Sequence, residues 1–387
     1  MATPLRKCQS SLEYSHNYAQ NRAIIRRFPK KKVVKKKKFS ILGAIKSLIS
    51  TAFVGAVAYY TIPYNYTHFM QPMFVSHVLN SRIHYDVAPM VSPTSAYLSN
   101  AVINQTPILL PIKNTAHGLA PIVPIGENTK LKNHLEGIIK NYPQFKTSVF
   151  VFDFTSGTTV EIEANKPIPC ASMIKIPILF ELFRQIEKNK EFEITDKVIF
   201  DKLYKTSGSG HLQYYQDDFE TTFDKMAELM ITDSDNSATN LILDYIGGKD
   251  NMNRAFRYWG LKNSEMPHFL PDLEGGNKMS TRDLGTLMYN LDNPNFLNVQ
   301  SREYIKDYMG AVKTDTLLPQ GLEEGSIIYH KTGDIGTYVG DTGVIYTKSG
   351  KKYIASIIVK RRHNDHAAKG FIQKISKTIY KNIEYGI

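Results

Sequence analysis

Apolar and polar residues follow two different periods in the second two thirds of the chain. Apolar residues three or four positions apart predict amphipathic helices. We expect these helices at residues 128–142, 171–187, 221–231, 237–246, 281–291 and 367–383. Alternating residues between turns predict strands. We expect the strands at residues 148–153, 160–163, 327–331, 343–347 and 353–360.

The order of these elements predicts the fold class. Strands lie at both ends of the region, and most of the helices lie between them. A sheet must bury one face against another layer, here the helices. We therefore expect an α/β (α+β) fold, with one sheet built from both termini packed against a helical lobe.

A different pattern comes earlier in the chain. A basic segment, residues 1–38, precedes an apolar stretch, residues 39–62. A helix needs about 20 apolar residues to cross a bilayer, and basic residues on one side keep that side in the cytoplasm. We expect a single-pass anchor in a bacterial cytoplasmic membrane, with the later domain outside the cytoplasm. A cleaved signal peptide is the alternative, with Ala56-Val57-Ala58 as its cleavage site, and the protein would then be secreted.

The whole formal net charge of +12 lies in residues 1–46, which contain 13 Lys and Arg and the single acid Glu13. The rest of the chain has balanced charges, so it does not attract polyanions and nucleic-acid binding is not expected. Residues 63–125 are rich in Pro, Asn, Ser and Thr without a sustained period, which predicts an extended spacer. Residues 126–387 are expected to form the compact domain.

Cysteine usage predicts neither a disulfide scaffold nor a metal site. Cys8 precedes the apolar stretch and Cys170 follows it, so a membrane-spanning chain could not join them. No CxxC pattern is present. We expect no metal and no organic cofactor.

The motif Ser172-Met173-Ile174-Lys175 carries the first candidate chemistry. A serine hydroxyl is a weak nucleophile until a base takes its proton. Ser172 and Lys175 are three residues apart on a predicted helix, so they share one face. Burial or a nearby cation, for which Lys331 is the candidate, would lower the pKa of Lys175 and make it a base. Taken alone, the pair could equally be a surface serine and lysine at a helix start.

The motif Ser234-Asp235-Asn236 lies in a turn between two predicted helices. Asp235 or Asn236 is expected to cap the second helix. Ser234 is in addition a candidate to relay a proton to a leaving nitrogen. Asn236 is a candidate donor to the amide carbonyl of a substrate.

The motif Lys331-Thr332-Gly333 lies on a predicted strand that leads into a turn. Lys331 and Thr332 are expected to bind a carboxylate, and Gly333 to let a substrate backbone lie along the strand. The backbone N–H groups of Ser172 and Asp334 would then form an oxyanion hole.

The three motifs in this order resemble the signature of the penicillin-recognising serine enzymes, which include class A β-lactamases and penicillin-binding proteins. The flanking residues 171–177 and 230–241 resemble the class A branch. The resemblance covers about residues 125–387. It implies a five-stranded antiparallel sheet beside a helical lobe, with the site in the crevice. It also implies a serine hydrolase that forms an acyl-enzyme with β-lactams or with D-alanyl peptides of peptidoglycan.

The chain departs from the class A pattern in one loop. Class A β-lactamases carry a glutamate within Glu-Pro-x-Leu-Asn, which activates the water that releases the acyl group. Residues 267–277 lack this motif, and Asp272 or Glu274 would have to replace it. The arginine that often binds the substrate carboxylate is also not evident, and Thr342 occupies the corresponding region.

Slow deacylation is therefore expected, as in penicillin-binding proteins of the DD-peptidase type. A class A β-lactamase that hydrolyses β-lactam antibiotics is the first alternative. A non-catalytic binding or sensor module is the second alternative, and the three intact motifs count against it.

Overall fold

The computed structural model describes residues 118–387 of the chain. The basic segment 1–38, the expected anchor 39–62 and residues 63–117 of the expected spacer lie outside this part. Of the helices within residues 118–387, none combines the length and the apolar character that a bilayer crossing needs.

Ten strands lie within residues 118–387. In chain order they are β1 (Gly126–Glu127), β2 (Lys146–Asp153), β3 (Thr158–Ile162), β4 (Ile168–Pro169), β5 (Lys197–Phe200), β6 (Phe219–Thr222), β7 (Lys278–Met279), β8 (Ile327–Asp334), β9 (Tyr338–Tyr346) and β10 (Lys352–Lys360). Six of them form the main sheet, in the order β1-β3-β2-β10-β9-β8. The pairs β4–β7 and β5–β6 form two small sheets.

The main sheet is built from both ends of the described region, which confirms the predicted fold class. β2 pairs with β10 along its whole length, from Lys146 opposite Lys360 to Asp153 opposite Tyr353. All neighbouring strands are antiparallel, except that β1 is parallel to β3. The sheet is therefore mixed and six-stranded, whereas five antiparallel strands were expected. The additional strand, β1, is too short for alternation to reveal it.

Eight α-helices lie in the same part of the chain. In chain order they are α1 (Thr129–Lys140), α2 (Lys175–Lys188), α3 (Phe223–Thr232), α4 (Asn236–Tyr245), α5 (Gly248–Trp259), α6 (Thr281–Tyr289), α7 (Val299–Gly310) and α8 (Ala367–Tyr385). The sequence pattern does not predict α5 and α7. α5 is mainly polar and buries a narrow stripe that includes Met252, Phe256 and Trp259.

Two apolar cores lie on opposite faces of the main sheet. Along β2, Val149 and Val151 belong to the core shared with α1 and α8, while Phe150 and Phe152 belong to the core of the helical lobe. Successive side chains of a strand point to opposite faces, so one strand contributes to both cores. Within the helical lobe, residues 175–183 of α2 are all buried. This helix therefore places Lys175 in apolar surroundings.

The last residues of the expected spacer pack against the domain. Leu119 and Ile122 are buried in the core of the helical lobe. The Asn290 side chain accepts a hydrogen bond from Ala120 N at 2.8 Å and donates one to Ala120 O at 2.9 Å. Some residues before position 126, where the compact domain is expected to begin, are therefore packed against the domain.

Candidate active site

Ser172 lies on a tight turn that leads into α2. Residues Ala171–Ile174 form a single 3-10 turn, and the α-helix begins only at Lys175. Ala171 has φ 49°, in the left-handed region that non-glycine residues rarely adopt. Such backbone strain persists where the surrounding structure enforces it, as it does at many functional sites. The periodicity of the apolar residues could not distinguish this turn from the first turn of a longer helix.

Lys175 connects the first two motifs. Its ammonium nitrogen has four oxygen neighbours within hydrogen-bond distance. These are Ser172 Oγ at 3.0 Å, Ser234 Oγ at 3.0 Å, Ser234 O at 2.6 Å and Asn236 Oδ1 at 2.9 Å. The amine therefore lies between the predicted nucleophile and the predicted proton relay.

Burial lowers the pKa of Lys175 well below its usual range, and the positive charge of Lys331 lowers it further. The negative charge of Asp235 acts in the opposite direction. A neutral amine has a lone pair that can take the proton of Ser172. The structure thus gives Lys175 the property that a general base needs.

The second motif is held by its own backbone and by the helix that follows. Ser234 has φ 57°, so it too is in the left-handed region. Asp235 is the cap of α4, because its Oδ1 accepts from Ser237 N and Ala238 N. Asn236 begins α4, and its Nδ2 donates to Ser207 O at 3.1 Å. The side-chain amide of Asn236 is therefore oriented by Lys175 at its oxygen and by Ser207 at its nitrogen.

The third motif lies on β8, the edge strand of the main sheet. Lys331 is buried and its Nζ donates to Thr332 O at 3.0 Å. Burial lowers the pKa of Lys331 to about 8, and the charge of Asp341 opposes this. His330 points away from Lys331, with its Nδ1 2.9 Å from Asp341 Oδ1. Strand alternation predicts this separation of the two side chains.

Gly333 allows β8 to lie directly against the Ser172 turn. A Cβ at this position would lie 2.8 Å from Cys170 O and 3.0 Å from Ser172 N. Any other residue would push the strand away from the nucleophile. The sequence motif predicts that Gly333 lets a substrate backbone lie along the strand. The close approach of β8 to the Ser172 turn is a second reason for a glycine at this position.

The backbone of Asp334 has the orientation that an oxyanion hole needs. Ile335 N donates to Tyr338 O at 3.0 Å, so this N–H points towards β9. N–H directions alternate along a strand, which turns the N–H of Asp334 to the free edge. This geometry fits the predicted pairing of the Ser172 and Asp334 N–H groups.

A cavity of about 480 Å³ opens beside Ser172. Its lining consists of Ala171, Ser172, Gly208, Ser209, Asn236, Leu270, Pro271, Asp272, Leu273, Asp334, Ile335, Gly336, His363 and Asn364. Lys331 and Thr332 do not line it. The cavity therefore includes Ser172 and Asp334 but not the predicted carboxylate-binding side chains.

The two candidate deacylation bases occupy different positions. Asp272 lines the cavity, but its Oδ1 accepts from Gly276 N at 2.9 Å and its Oδ2 from Asn277 N at 2.6 Å. Glu274 is exposed and does not line the cavity. Thr342 is buried on β9. The structure thus uses the Asp272 carboxylate to hold its own loop.

Sequence reasoning missed the residue that fixes this loop to the helical lobe. Asn240 donates from Nδ2 to Leu270 O at 2.7 Å and accepts from Leu270 N at 3.0 Å. Asn240 lies four residues after Asn236, hence on the same face of α4. This spacing was the available signal, but the partner Leu270 lies in a loop without a pattern.

Together, the predicted serine nucleophile, a buried lysine and a second serine within reach of the same amine match the arrangement of a serine hydrolase that acts through an acyl-enzyme. The chain belongs to the β-lactamase enzyme family, whose family model matches residues 130–383.

Individual relatives include both β-lactamases and a penicillin-binding protein. A β-lactamase of Bacillus licheniformis is 25% identical over 254 residues, which is 62% of this chain and 79% of that protein. The solved structure of PBP-A is 35% identical, with a TM-score of 0.65 over 69% of this chain and 99% of that one. A PBP-A mutant, solved as an acyl-enzyme complex with penicillin G, is 34% identical with the same TM-score and coverage.

Proposed function

We propose that this protein is a membrane-tethered acyl-transferase of the penicillin-binding, DD-peptidase type. It would form an acyl-enzyme with β-lactams or with D-alanyl peptides of peptidoglycan and release the acyl group slowly. The solved acyl-enzyme of a PBP-A mutant with penicillin G supports the choice of β-lactams as ligands. The peptide substrate rests on the resemblance seen in the sequence.

Acylation follows from the geometry around Lys175. The neutral Lys175 amine takes the proton of Ser172 Oγ, which attacks the carbonyl carbon of the substrate. The N–H groups of Ser172 and Asp334 stabilise the negative oxygen of the tetrahedral intermediate. As the C–N bond breaks, Ser234 passes a proton from Lys175 to the leaving nitrogen. Lys331 and Thr332 bind the carboxylate of the substrate.

One observation carries the expectation of slow release. Within residues 118–387, the carboxylates that line the cavity are those of Asp272 and Asp334. Asp272 accepts two backbone hydrogen bonds, and Asp334 accepts from Gly336 N and from Arg361 Nη2. A general base must be free to take a proton from water. These bonds hold each carboxylate to its own wall of the cavity, so we expect slow water attack on the acyl-enzyme.

Intact mass spectrometry of the full-length protein in detergent tests this proposal. Incubation with benzylpenicillin should give an adduct of the mass of the antibiotic that persists for many minutes after free drug is removed. The Ser172→Ala variant should give no adduct. A persistent adduct on Ser172→Ala would refute the assigned nucleophile.

A β-lactamase is the second candidate, because Asp272 lines the same cavity as Ser172. In that case the adduct would be short-lived and hydrolysed penicillin would accumulate. Asp272→Asn would then lengthen the lifetime of the adduct by orders of magnitude. If no adduct forms with any β-lactam, the non-catalytic binding module becomes the better explanation.

Membrane tethering rests on residues 39–62 and their basic flank. In cell fractions, the protein should remain with membranes after a high-salt or carbonate wash and dissolve in detergent. A shorter chain in the soluble fraction would instead indicate cleavage of a signal peptide.

A further inference from the structure

The cavity beside Ser172 has two walls that meet at the nucleophile. One wall is the loop segment 270–273, and the other is formed by residues 334–336 with His363 and Asn364. The carboxylate-binding residues Lys331 and Thr332 lie outside it. A substrate whose carboxylate is bound by Lys331 and Thr332 and whose carbonyl reaches Ser172 would have this cavity available for its acyl side chain.

Much of the lining is apolar. Leu270, Pro271 and Leu273 contribute from one wall, and Ile335 contributes from the other. Leu273 is 69% exposed in the free protein, so it offers uncovered apolar surface to a ligand. An acyl side chain with an apolar part next to the reacting carbonyl would bury this surface.

Two carboxylates interrupt the apolar lining, one on each wall. Among the residues described as lining the cavity, Asp272 and Asp334 are acidic and none is a lysine or an arginine. Asp272 is bonded to the backbone N–H groups of Gly276 and Asn277. These partners are neutral, so they orient the carboxylate without cancelling its charge.

The Asp334 carboxylate lines the cavity and forms an ion pair with a buried guanidinium. Arg361 Nη2 donates to Asp334 Oδ1 at 2.5 Å, and its Nε donates to Gly336 O at 2.9 Å. The Arg361 side chain is 1% exposed, whereas that of Asp334 is 41% exposed. The guanidinium thus lies behind the carboxylate, and the negative end of the pair faces the ligand.

The wall that carries Asp334 is tightly packed. A Cβ on Gly336 would lie 2.4 Å from the ring of His363. The imidazole therefore rests directly on the turn, and the Arg361 hydrogen bonds fix the same turn from inside. A charge held on a fixed wall acts on a ligand without a cost of reorganisation.

We propose that this cavity selects acyl donors whose side chain combines an apolar part with an ammonium group. Asp272 and Asp334 would attract the ammonium group, and an acidic side chain would be repelled. The natural donor would accordingly be a peptide with a free side-chain or terminal amine. This inference rests on the proposed function, because it concerns the substrate of Ser172.

Three penicillins provide a matched series. Benzylpenicillin, ampicillin and carbenicillin share a phenyl-bearing side chain and differ at its α-carbon, which carries hydrogen, an ammonium group or a carboxylate. The second-order acylation rate constants are measured on the full-length protein in detergent by intact mass at neutral pH. We expect the acylation rate constant to decrease from ampicillin to benzylpenicillin to carbenicillin. The difference between ampicillin and carbenicillin should be about tenfold. This difference in rate constant should become smaller at high salt, because salt screens exposed charges.

A pair of variants identifies the source of the selectivity. In Asp334→Asn, the rate ratio of ampicillin to carbenicillin should fall to one or below, because Asn keeps the acceptor for Gly336 N but leaves the positive charge of Arg361 uncompensated. Asp307→Asn removes an exposed carboxylate of α7 that does not line the cavity. In this control, the rate ratio of ampicillin to carbenicillin should be the same as in the unmodified protein.

The outcomes separate the two proposals. Acylation by all three penicillins at equal rates, or fastest by carbenicillin, refutes the selectivity and leaves the proposed function intact. An unchanged ratio in Asp334→Asn refutes the role of that residue. If none of the three acylates the protein, the proposed function fails and the selectivity fails with it.

Discussion

Lys175 Nζ lies 3.0 Å from Ser172 Oγ, at the start of a helix whose first nine residues are all buried. Burial disfavours the charged form of an amine. The apolar core of the helical lobe therefore determines the protonation of the base. Stability and catalysis share the same residues of α2.

Replacement of this base should separate catalysis from folding. Lys175→Ala removes the proton acceptor, so we expect acylation by benzylpenicillin to slow by about 10²-fold or more. Circular dichroism should show an unchanged fold. Lys278→Ala, at an exposed lysine paired with Glu265, should acylate at the normal rate. An unchanged acylation rate in Lys175→Ala would rule out this lysine as the base.

The pH dependence of acylation should be bell-shaped. Lys175 must be neutral to accept a proton, and its lowered pKa makes the neutral form available at a lower pH than in an ordinary lysine. Lys331 must be charged to bind a carboxylate, and it loses its proton as pH rises through about 8. The second-order rate constant should therefore rise with pH as Lys175 loses its proton and fall above about pH 8. A rate that still increases beyond pH 9 would contradict the role of Lys331.

Asp341 should control the alkaline limb of that profile. Its buried carboxylate raises the pKa of Lys331 and is held by His330 Nδ1 and Leu318 N. Asp341→Asn keeps the side-chain shape and removes the charge, so Lys331 should lose its proton at lower pH. We expect the fall of the second-order acylation rate constant to begin at lower pH in this variant than in the unmodified protein. A limb at its original position would show that Asp341 has only a structural role.

The anchor between Asn240 and Leu270 should contribute measurably to stability. Asn240→Ala leaves the N–H and C=O of the largely buried Leu270 without these partners. We expect a loss of about 2–4 kcal/mol in the free energy of unfolding, measured by urea denaturation. Asn189→Ala, at an exposed position where the side chain accepts one local hydrogen bond from Glu191 N, should cost about 1 kcal/mol or less. Equal losses in the two variants would mean that the loop is not held by Asn240.

The sequence was most informative where function requires neighbouring residues. Ser172 and Lys175 are three residues apart, and Ser234 lies beside the cap of α4, so short motifs identify them. Asn240 with Leu270 and Arg361 with Asp334 are about 30 residues apart, and each contact joins a regular element to a turn or loop. Periodicity carries no information on such contacts, because the loop conformation decides them. The 3-10 turn at Ser172 was missed for a local reason, because its apolar spacing matches the first turn of a longer helix.

The position of β10 has a consequence for biosynthesis. This strand lies between β2 and β9 in the middle of the main sheet, yet it is the last strand of the chain. β2 can pair with β3 early, but its second partner is complete only when residues 352–360 have left the ribosome. The folding of the domain should therefore be late and cooperative, since it depends on contacts between distant segments. A nonsense mutation that removes only β10 and α8 would leave all three motifs in the polypeptide and still produce no enzyme.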